Sequence, residues 1–221
     1  MSKPAHVSPS RVQTILKKLR GLYPEAKCGL DHETPFELLI ATILSAQCTD
    51  KRVNLITPAL FARAATPEKI LKLGETRLRE AIKTCGLYQS KAKNILATCR
   101  ILLEEFGGNI PRSLEALTRL PGVGRKTANV VLSNAFQVPA IAVDTHVFRV
   151  SQRLGLAKGK TPHQIETQLM AAIPKRSWGE AHHLLIHHGR HLCRARNPLC
   201  EACPLKRQCL YYARVKAAHG G

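Results

Sequence analysis

A hydroxyl side chain directly before a proline is the feature that most constrains this fold, because the pair marks where a helix begins. Ser8-Pro9, Thr34-Pro35, Thr66-Pro67 and Thr161-Pro162 each set a capping oxygen before a residue suited to the first helical position. The hydroxyl accepts from an otherwise orphaned first-turn amide, and proline has no amide to satisfy there. Thr161-x-x-Gln164 and Ser177-x-x-Glu180 add the spacing of reciprocal capping boxes. Apolar residues then recur with helical period: Val12, Ile15, Leu16, Leu19 and Leu22 form one stripe, and Ile95, Leu96, Cys99, Leu102, Leu103 and Phe106 another. The best strand candidate, Val138 to Val143, is short and unpartnered. The pattern predicts an all-α protein with short loops.

At 221 residues the chain can bury a core without disulfide staples. Its longest dense apolar stretch, Phe36 to Ala46, falls short of the roughly 20 residues that span a bilayer, and the first thirty residues lack the apolar run of a secretory signal. A soluble intracellular protein with no membrane partner is expected. Against 15 Asp and Glu stand 34 Lys and Arg, a net charge of +19, so the natural partner is a polyanion. From Ile186 to Gly221 seven basic residues face the single acid Glu201, which reads as part of a nucleic-acid footprint. A ribosome-bound or solubilising surface, or an anionic membrane surface, carries the same signature, and motifs must decide.

Leu120-Pro-Gly-Val-Gly-Arg-Lys-Thr-Ala128 lies between two apolar helical segments. Gly122 and Gly124 permit a tight hairpin with positive φ and bare backbone, and amides at the start of the next helix can face a phosphate. With Arg125 this is a sequence-independent grip on DNA. Lys126 reads either as a phosphate contact or as a nucleophile. An unperturbed lysine amine is neutral in only about one molecule in a few thousand at pH 7. Bringing one into working range takes roughly 3 kcal/mol of bias against the ammonium form. Desolvation in a pocket, the positive helix end and Arg125 all act in that direction. A carboxylate in direct contact would oppose it, so a partner acid should act mainly on the substrate sugar. Asp144, in Val143-Asp-Thr-His-Val-Phe-Arg-Val150, supplies such an acid at a predicted helix start, where it also reads as an N-cap. Together Lys126 and Asp144 point to an N-glycosylase: the carboxylate stabilises an oxocarbenium-like C1′, the amine traps it as a Schiff base, and β-elimination cuts the strand on the 3′ side.

Cys193, Cys200, Cys203 and Cys209 fall within seventeen residues, a metal or cluster signature. Disulfides would need an oxidising compartment; zinc and [4Fe-4S] both accept four thiolates, and the single tight C-x2-C pair leans toward the cluster. Arg194 and Arg196, between the first two ligands, would face phosphates. Cys28, Cys48, Cys85 and Cys99 read as buried small apolar residues. His182, His183, His187, His188 and His191 share a packed helix and are not read as a metal site, with His188-Gly189-Arg190 expected to approach DNA.

These segments, with Leu44-Ser-Ala-Gln-Cys-Thr-Asp50 and Gly86-Leu-Tyr-Gln-Ser-Lys91, resemble the endonuclease III family of bifunctional DNA glycosylases in the helix-hairpin-helix superfamily, from about Val12 to Tyr212. The resemblance implies two helical domains, a six-helix barrel over 28–138 and an iron-sulfur cluster domain of 1–27 with 139–221, with DNA in the groove between them and the lesion base flipped out. It implies Lys126 as the Schiff-base nucleophile, Asp144 as its essential acid and the four clustered cysteines as [4Fe-4S] ligands. Gln47 would fill the gap left by the flipped nucleotide, Leu87 would wedge beside the opposite strand, and Ser45, Asp50 and His146 would lie near the pocket. The implied substrates are oxidised pyrimidines and abasic sites in double-stranded DNA, acted on by a cytoplasmic monomer, nucleoid-associated if bacterial. Cys48 and Gln89 stand where many members have alanine and asparagine. The alternatives are a mismatch-directed thymine or uracil glycosylase on the same scaffold, and a non-catalytic iron-sulfur DNA-binding protein.

Overall fold

The structure, a computed structural model, describes residues 7–219, and among them every regular element is helical. The chain divides into two compact units, Cys28–Val138 and Met1–Lys27 with Pro139–Gly221. The first holds α2 (Pro35–Leu44), α3 (Asp50–Phe61), α4 (Pro67–Leu73), α5 (Glu75–Ile82), α6 (Tyr88–Phe106), α7 (Leu114–Thr118) and α8 (Arg125–Phe136). The second holds α1 (Pro9–Leu22), α9 (Thr145–Leu154), α10 (Pro162–Ala172), α11 (Trp178–His191) and α12 (Leu210–His219). No helix among the described residues is long and apolar enough to cross a membrane.

All four hydroxyl-proline pairs start helices. Ser8, Thr34, Thr66 and Thr161 are the N-caps of α1, α2, α4 and α10, and each hydroxyl accepts the amide three residues on. A further pair, Thr57-Pro58, lies inside α3, with Thr57 buried. Neither capping box is reciprocal. Gln164 accepts from Lys160 N at 2.8 Å rather than from its cap. Ser177 makes no side-chain cap at all, because it closes a 3-10 turn over Lys175–Ser177. Its expected partner Glu180 instead pairs with Arg20 of α1 at 2.7 Å. The strand candidate is not a strand: its apolar residues Ala140 to Val143 are buried in an irregular segment.

In the first unit α2 is buried from Phe36 to Leu44, with no solvent face, and α3, α6 and α8 pack around it. Each fully buried Leu or Ile there contributes about 1.5–3 kcal/mol relative to exposure. In the second unit the stripe Val12, Ile15, Leu16 and Leu19 of α1 joins a core with Val147, Val150 and Leu154 of α9 and Leu184 and Leu185 of α11. Arg11 extends this core to the cysteine-rich segment: its Nη2 donates to Leu154 O at 2.6 Å and to Gln208 O at 2.7 Å.

Arg11→Met keeps the aliphatic stem but leaves both carbonyls without their charged donor. A loss of about 1–2 kcal/mol in urea unfolding is expected, discounted for partial exposure. A loss within error would show that water replaces the guanidinium at no cost.

Candidate active site

The hairpin between α7 and α8 is anchored from behind. Thr98 of α6 donates from Oγ1 to Pro121 O at 2.9 Å, Val123 is buried, and Gly122 lies so close to Asn94 that a Cβ would come within 3.1 Å of Nδ2. Only Gly122 adopts positive φ, +79°. Gly124 is extended instead, as the N-cap of α8, and offers no side-chain cap. Gly124 thus brings no side-chain oxygen to the start of α8, and the positive end of a helix is a place that receives an anion. Arg125 and Lys126 occupy that turn and are exposed, while Ala128 to Leu132 are buried behind them. The desolvation expected around Lys126 is thus absent in the DNA-free protein.

Two further loops of the same unit meet each other. Gln47, after α2, and Leu87, before α6, are both exposed and both left-handed, at φ +53° and +57°; Leu87 is 58% exposed. A left-handed non-glycine residue costs roughly 1–2 kcal/mol, so the surroundings must hold these two in place. Lys91, buried at the start of α6, donates from Nζ to Leu44 O at 2.8 Å, tying α6 to the end of α2; burial lowers its pKa, against neighbouring Cys85 and Cys48. Cys48 Sγ approaches Cys85 Sγ to 3.5 Å, and a Cβ on Gly86 would lie 3.3 Å from Gln47 O. Ser45 caps the end of α2, donating from Oγ to Thr42 O at 2.9 Å. Asp50 begins α3 with its carboxylate against Gly29, where a Cβ would come within 2.8 Å of Oδ2. Sequence reading missed Lys91, whose one signal is a lysine on the buried face of an apolar helix.

Asp144 belongs to the second unit. It is the N-cap of α9, with Oδ1 accepting from Val147 N at 2.7 Å. His146, in the first turn of α9, is half-buried with Nδ1 3.2 Å from Arg149 Nη2; burial lowers its pKa, Asp144 opposes, and Arg149 and Arg190 reinforce the shift. α11 passes α9 so closely that a Cβ on Gly189 would sit 2.9 Å from His146 Cβ. Arg149 spans the contact, donating to Gly189 O at 3.0 Å and Cys193 O at 3.1 Å. His188 and Gly189 are consequently buried, which corrects the expectation that they approach DNA; Arg190 alone of the three is exposed.

Cys193, Cys200, Cys203 and Cys209 line one cavity with His188, Leu154 and Tyr212. All eight cysteines are free thiols. Among the described residues no group of three or more His, Cys, Asp or Glu side chains closes around the position of a single metal ion. Burial raises the Cys200 and Cys203 thiols, and charge on the neighbouring cysteines raises them further. Four thiolates in this cavity therefore call for a cationic centre, a donor set that fits an iron-sulfur cluster. Polar partners surround the sulfurs: Arg153 Nη1 lies 3.5 Å from Cys193 Sγ, Tyr212 N 3.5 Å from Cys209 Sγ, and His188 Nε2 3.6 Å from Cys203 Sγ, with Tyr23 OH 3.2 Å from His188 Nδ1. Arg153 also binds the carbonyls of Arg194 and Ala195 at 2.7 and 3.1 Å, holding the loop that exposes Arg194 and Arg196. Of the four scattered cysteines, Cys85 and Cys99 are buried as expected, while Cys28 and Cys48 are only partly covered.

Residues 40–175, which take in both loops, the hairpin and Asp144, match the HhH-GPD superfamily of base excision DNA repair proteins. Endonuclease III of Rickettsia conorii is 53% identical over 193 residues, 87% of this chain and 92% of the relative. The chain belongs to the endonuclease III family. Endonuclease III of Escherichia coli K12 is 50% identical over 91% of this chain and 95% of its own length. A solved endonuclease III trapped as a covalent intermediate with DNA superposes with a TM-score of 0.89 and 44% identity, covering 95% of this chain and 99% of the other. A thermostable thymine-DNA glycosylase shares the fold, with a TM-score of 0.82 at 24% identity over 93% of this chain and 98% of the other. As a member of this family the chain is a DNA-binding base excision repair enzyme, a DNA glycosylase with AP lyase activity.

The cap made by Asp144 separates two roles of that residue. Asp144→Ala should lose about 0.5–2 kcal/mol of stability in urea unfolding, whereas Asp144→Asn should stay within a few tenths, because asparagine caps as well as aspartate. Equal losses would mean that the carboxylate charge, not the cap bond, stabilises α9.

Proposed function

We propose that this enzyme removes oxidised pyrimidines from duplex DNA and cleaves the abasic product through a Schiff base on Lys126. The observation that carries the reading is the placement of Lys126 on the exposed first turn of α8, directly after a hairpin whose glycines leave the backbone bare toward a phosphate. The amides around Gly122 and Gly124, with Arg125, grip the backbone; DNA closing over this turn supplies the desolvation that the free protein lacks. Gln47 fills the space of the flipped nucleotide and Leu87 wedges beside the opposite strand, two tasks suited to exposed side chains on strained, anchored backbone. Ser45, Asp50 and His146 lie along the approach to the lesion.

Lys126 Nζ attacks C1′ as the bond from C1′ to the base breaks, and the base leaves with the electron pair and takes up a proton. Asp144 stabilises the positive charge that builds on the sugar. The C1′–O4′ bond then opens to give the imine, which acidifies the C2′ proton; its removal expels the 3′ phosphate, and water releases Lys126. The N-cap bond orients the Asp144 carboxylate at the start of α9.

Cys193, Cys200, Cys203 and Cys209 hold a [4Fe-4S] cluster, which when bound supplies a structural and DNA-positioning centre. Arg153 and the Tyr212 amide direct donors at its ligating sulfurs, His188 Nε2 lies against Cys203 Sγ, and the tethered loop presents Arg194 and Arg196 to phosphates. The enzyme acts as a monomer, in the cytoplasm, associated with the nucleoid if its source is bacterial.

Borohydride trapping on duplexes carrying thymine glycol, an abasic site, a G·T mismatch or no lesion tests the reading. Wild type should give lesion-dependent covalent adducts on the first two, and Lys126→Gln none while still binding the duplex. Loss of binding in parallel with activity would make Lys126 a phosphate contact, and an adduct confined to the mismatch would move the substrate to mispaired thymine. Asp144→Asn should slow single-turnover excision by roughly 100- to 1000-fold; an unchanged rate would remove it from the mechanism. Purified protein should be brown and contain iron with acid-labile sulfide, lost together with DNA affinity in Cys203→Ser. A colourless zinc protein would overturn the cluster assignment.

A further inference from the structure

Two thiols that the mechanism does not use stand against each other at the base of the paired loops. Cys48 is two residues before α3 and next to Gln47; Cys85 lies two residues before Leu87. Their sulfurs are 3.5 Å apart, Cys48 is partly exposed and Cys85 is buried. Oxidant therefore reaches Cys48 first, and the sulfur facing it is that of Cys85. Burial, then contact with Cys48, pushes the Cys85 thiol up to about 11, while the positive charges of Lys91 and Arg52 act the other way. These cations favour the thiolate that Cys85 must expose when it attacks.

We propose that Cys48 and Cys85 are a reversible thiol modification site, joined as a disulfide by peroxides, and that the oxidised form binds lesion-bearing DNA more weakly. The Cys48 sulfur, as thiolate, attacks one peroxide oxygen; an S–O bond forms, the O–O bond breaks, and the departing hydroxide with the thiol proton becomes water. The Cys85 sulfur then attacks the Cys48 sulfenic acid; the S–S bond forms, the S–O bond breaks, and hydroxide leaves with the second thiol proton as a second water. Two electrons pass from the sulfurs to the peroxide, and a dithiol returns them.

Bond formation must shorten the sulfur separation from 3.5 Å to about 2.05 Å. The loops have little room to slide together, because Gly86 already lies so near Gln47 O that a Cβ on it would be 3.3 Å from that oxygen. The closure therefore acts on the backbone of Gln47 and Leu87, both held in left-handed conformations. The effect on DNA rests on the proposed insertion of these two side chains at the lesion; the disulfide does not.

The test uses the full-length protein with its native cofactor, treated with hydrogen peroxide. Non-reducing peptide mapping by mass spectrometry should find Cys48 linked to Cys85, reversed by dithiothreitol. Affinity for a thymine glycol duplex should fall on the order of tenfold and recover on reduction. Cys48→Ala and Cys85→Ala should each bind like the reduced wild type and ignore peroxide, with visible absorbance followed so that damage to the four-cysteine centre is seen separately. Absence of the linked peptide, or a disulfide that leaves affinity unchanged, overturns the proposal. Reduced protein that does not distinguish lesion from undamaged duplex overturns the functional reading and with it the DNA half of the proposal; the peptide map decides the disulfide independently.

Discussion

A helix with no solvent face is the constraint from which the first unit follows. Every residue of α2 from Phe36 to Leu44 is buried, and a helix buried on every side must be enclosed by others. α3, α6 and α8 enclose it, and each carries one piece of the proposed DNA contact at its start or in the loop beside it. The carbonyl of Leu44, the last residue of α2, would be left without a helical partner; Lys91 of α6 supplies one. That single bond brings the loop bearing Gln47 to the loop bearing Leu87, and the two left-handed backbones are stable because both flanking helices are anchored in the same core.

The second unit is governed by a close approach rather than by a buried helix. Gly189 has no Cβ, and at that point α11 comes within contact distance of His146 on α9. The approach lets Arg149 reach from α9 to the main chain of α11 and of Cys193, so the helix capped by Asp144 and the first cysteine of the cavity are set by one packing contact. The same closeness buries His188, whose imidazole lies between Tyr23 and Cys203. Arg11 then connects α1 to the segment that carries Cys209. Arg11, Arg149 and Arg153 are thus committed to main-chain carbonyls within the protein, and exposed cations such as Arg194 and Arg196 are the ones proposed to meet phosphate.

Local chemistry was readable wherever a residue acts on its own few neighbours. The caps at Ser8, Thr34, Thr66 and Thr161 require only an oxygen and an amide three residues apart, and Asp144 as N-cap follows the same rule. The turn at Gly122 was readable because positive φ selects glycine; the matching expectation for Gly124 went too far, since an extended N-cap needs no glycine-only conformation. Ser177 and Glu180 have the letters of a capping box, but Arg20 competes from α1 and a charged pair prevails over a cap at a 3-10 turn. Val138 to Val143 have the residues of a strand, but among the described residues no second strand lies beside them.

The sequence by itself determined the helical class, the helix starts, the hairpin with Lys126 and Asp144, and the four cysteines as a set, because each is encoded within a short stretch of chain. Tertiary structure alone decided that Cys48 faces Cys85, that Lys91 is buried, that His188 turns inward and that Lys126 stays exposed. Those outcomes depend on which surfaces are brought together from distant parts of the chain. Burial and contact are properties of the packed molecule, and no local pattern of residues specifies them.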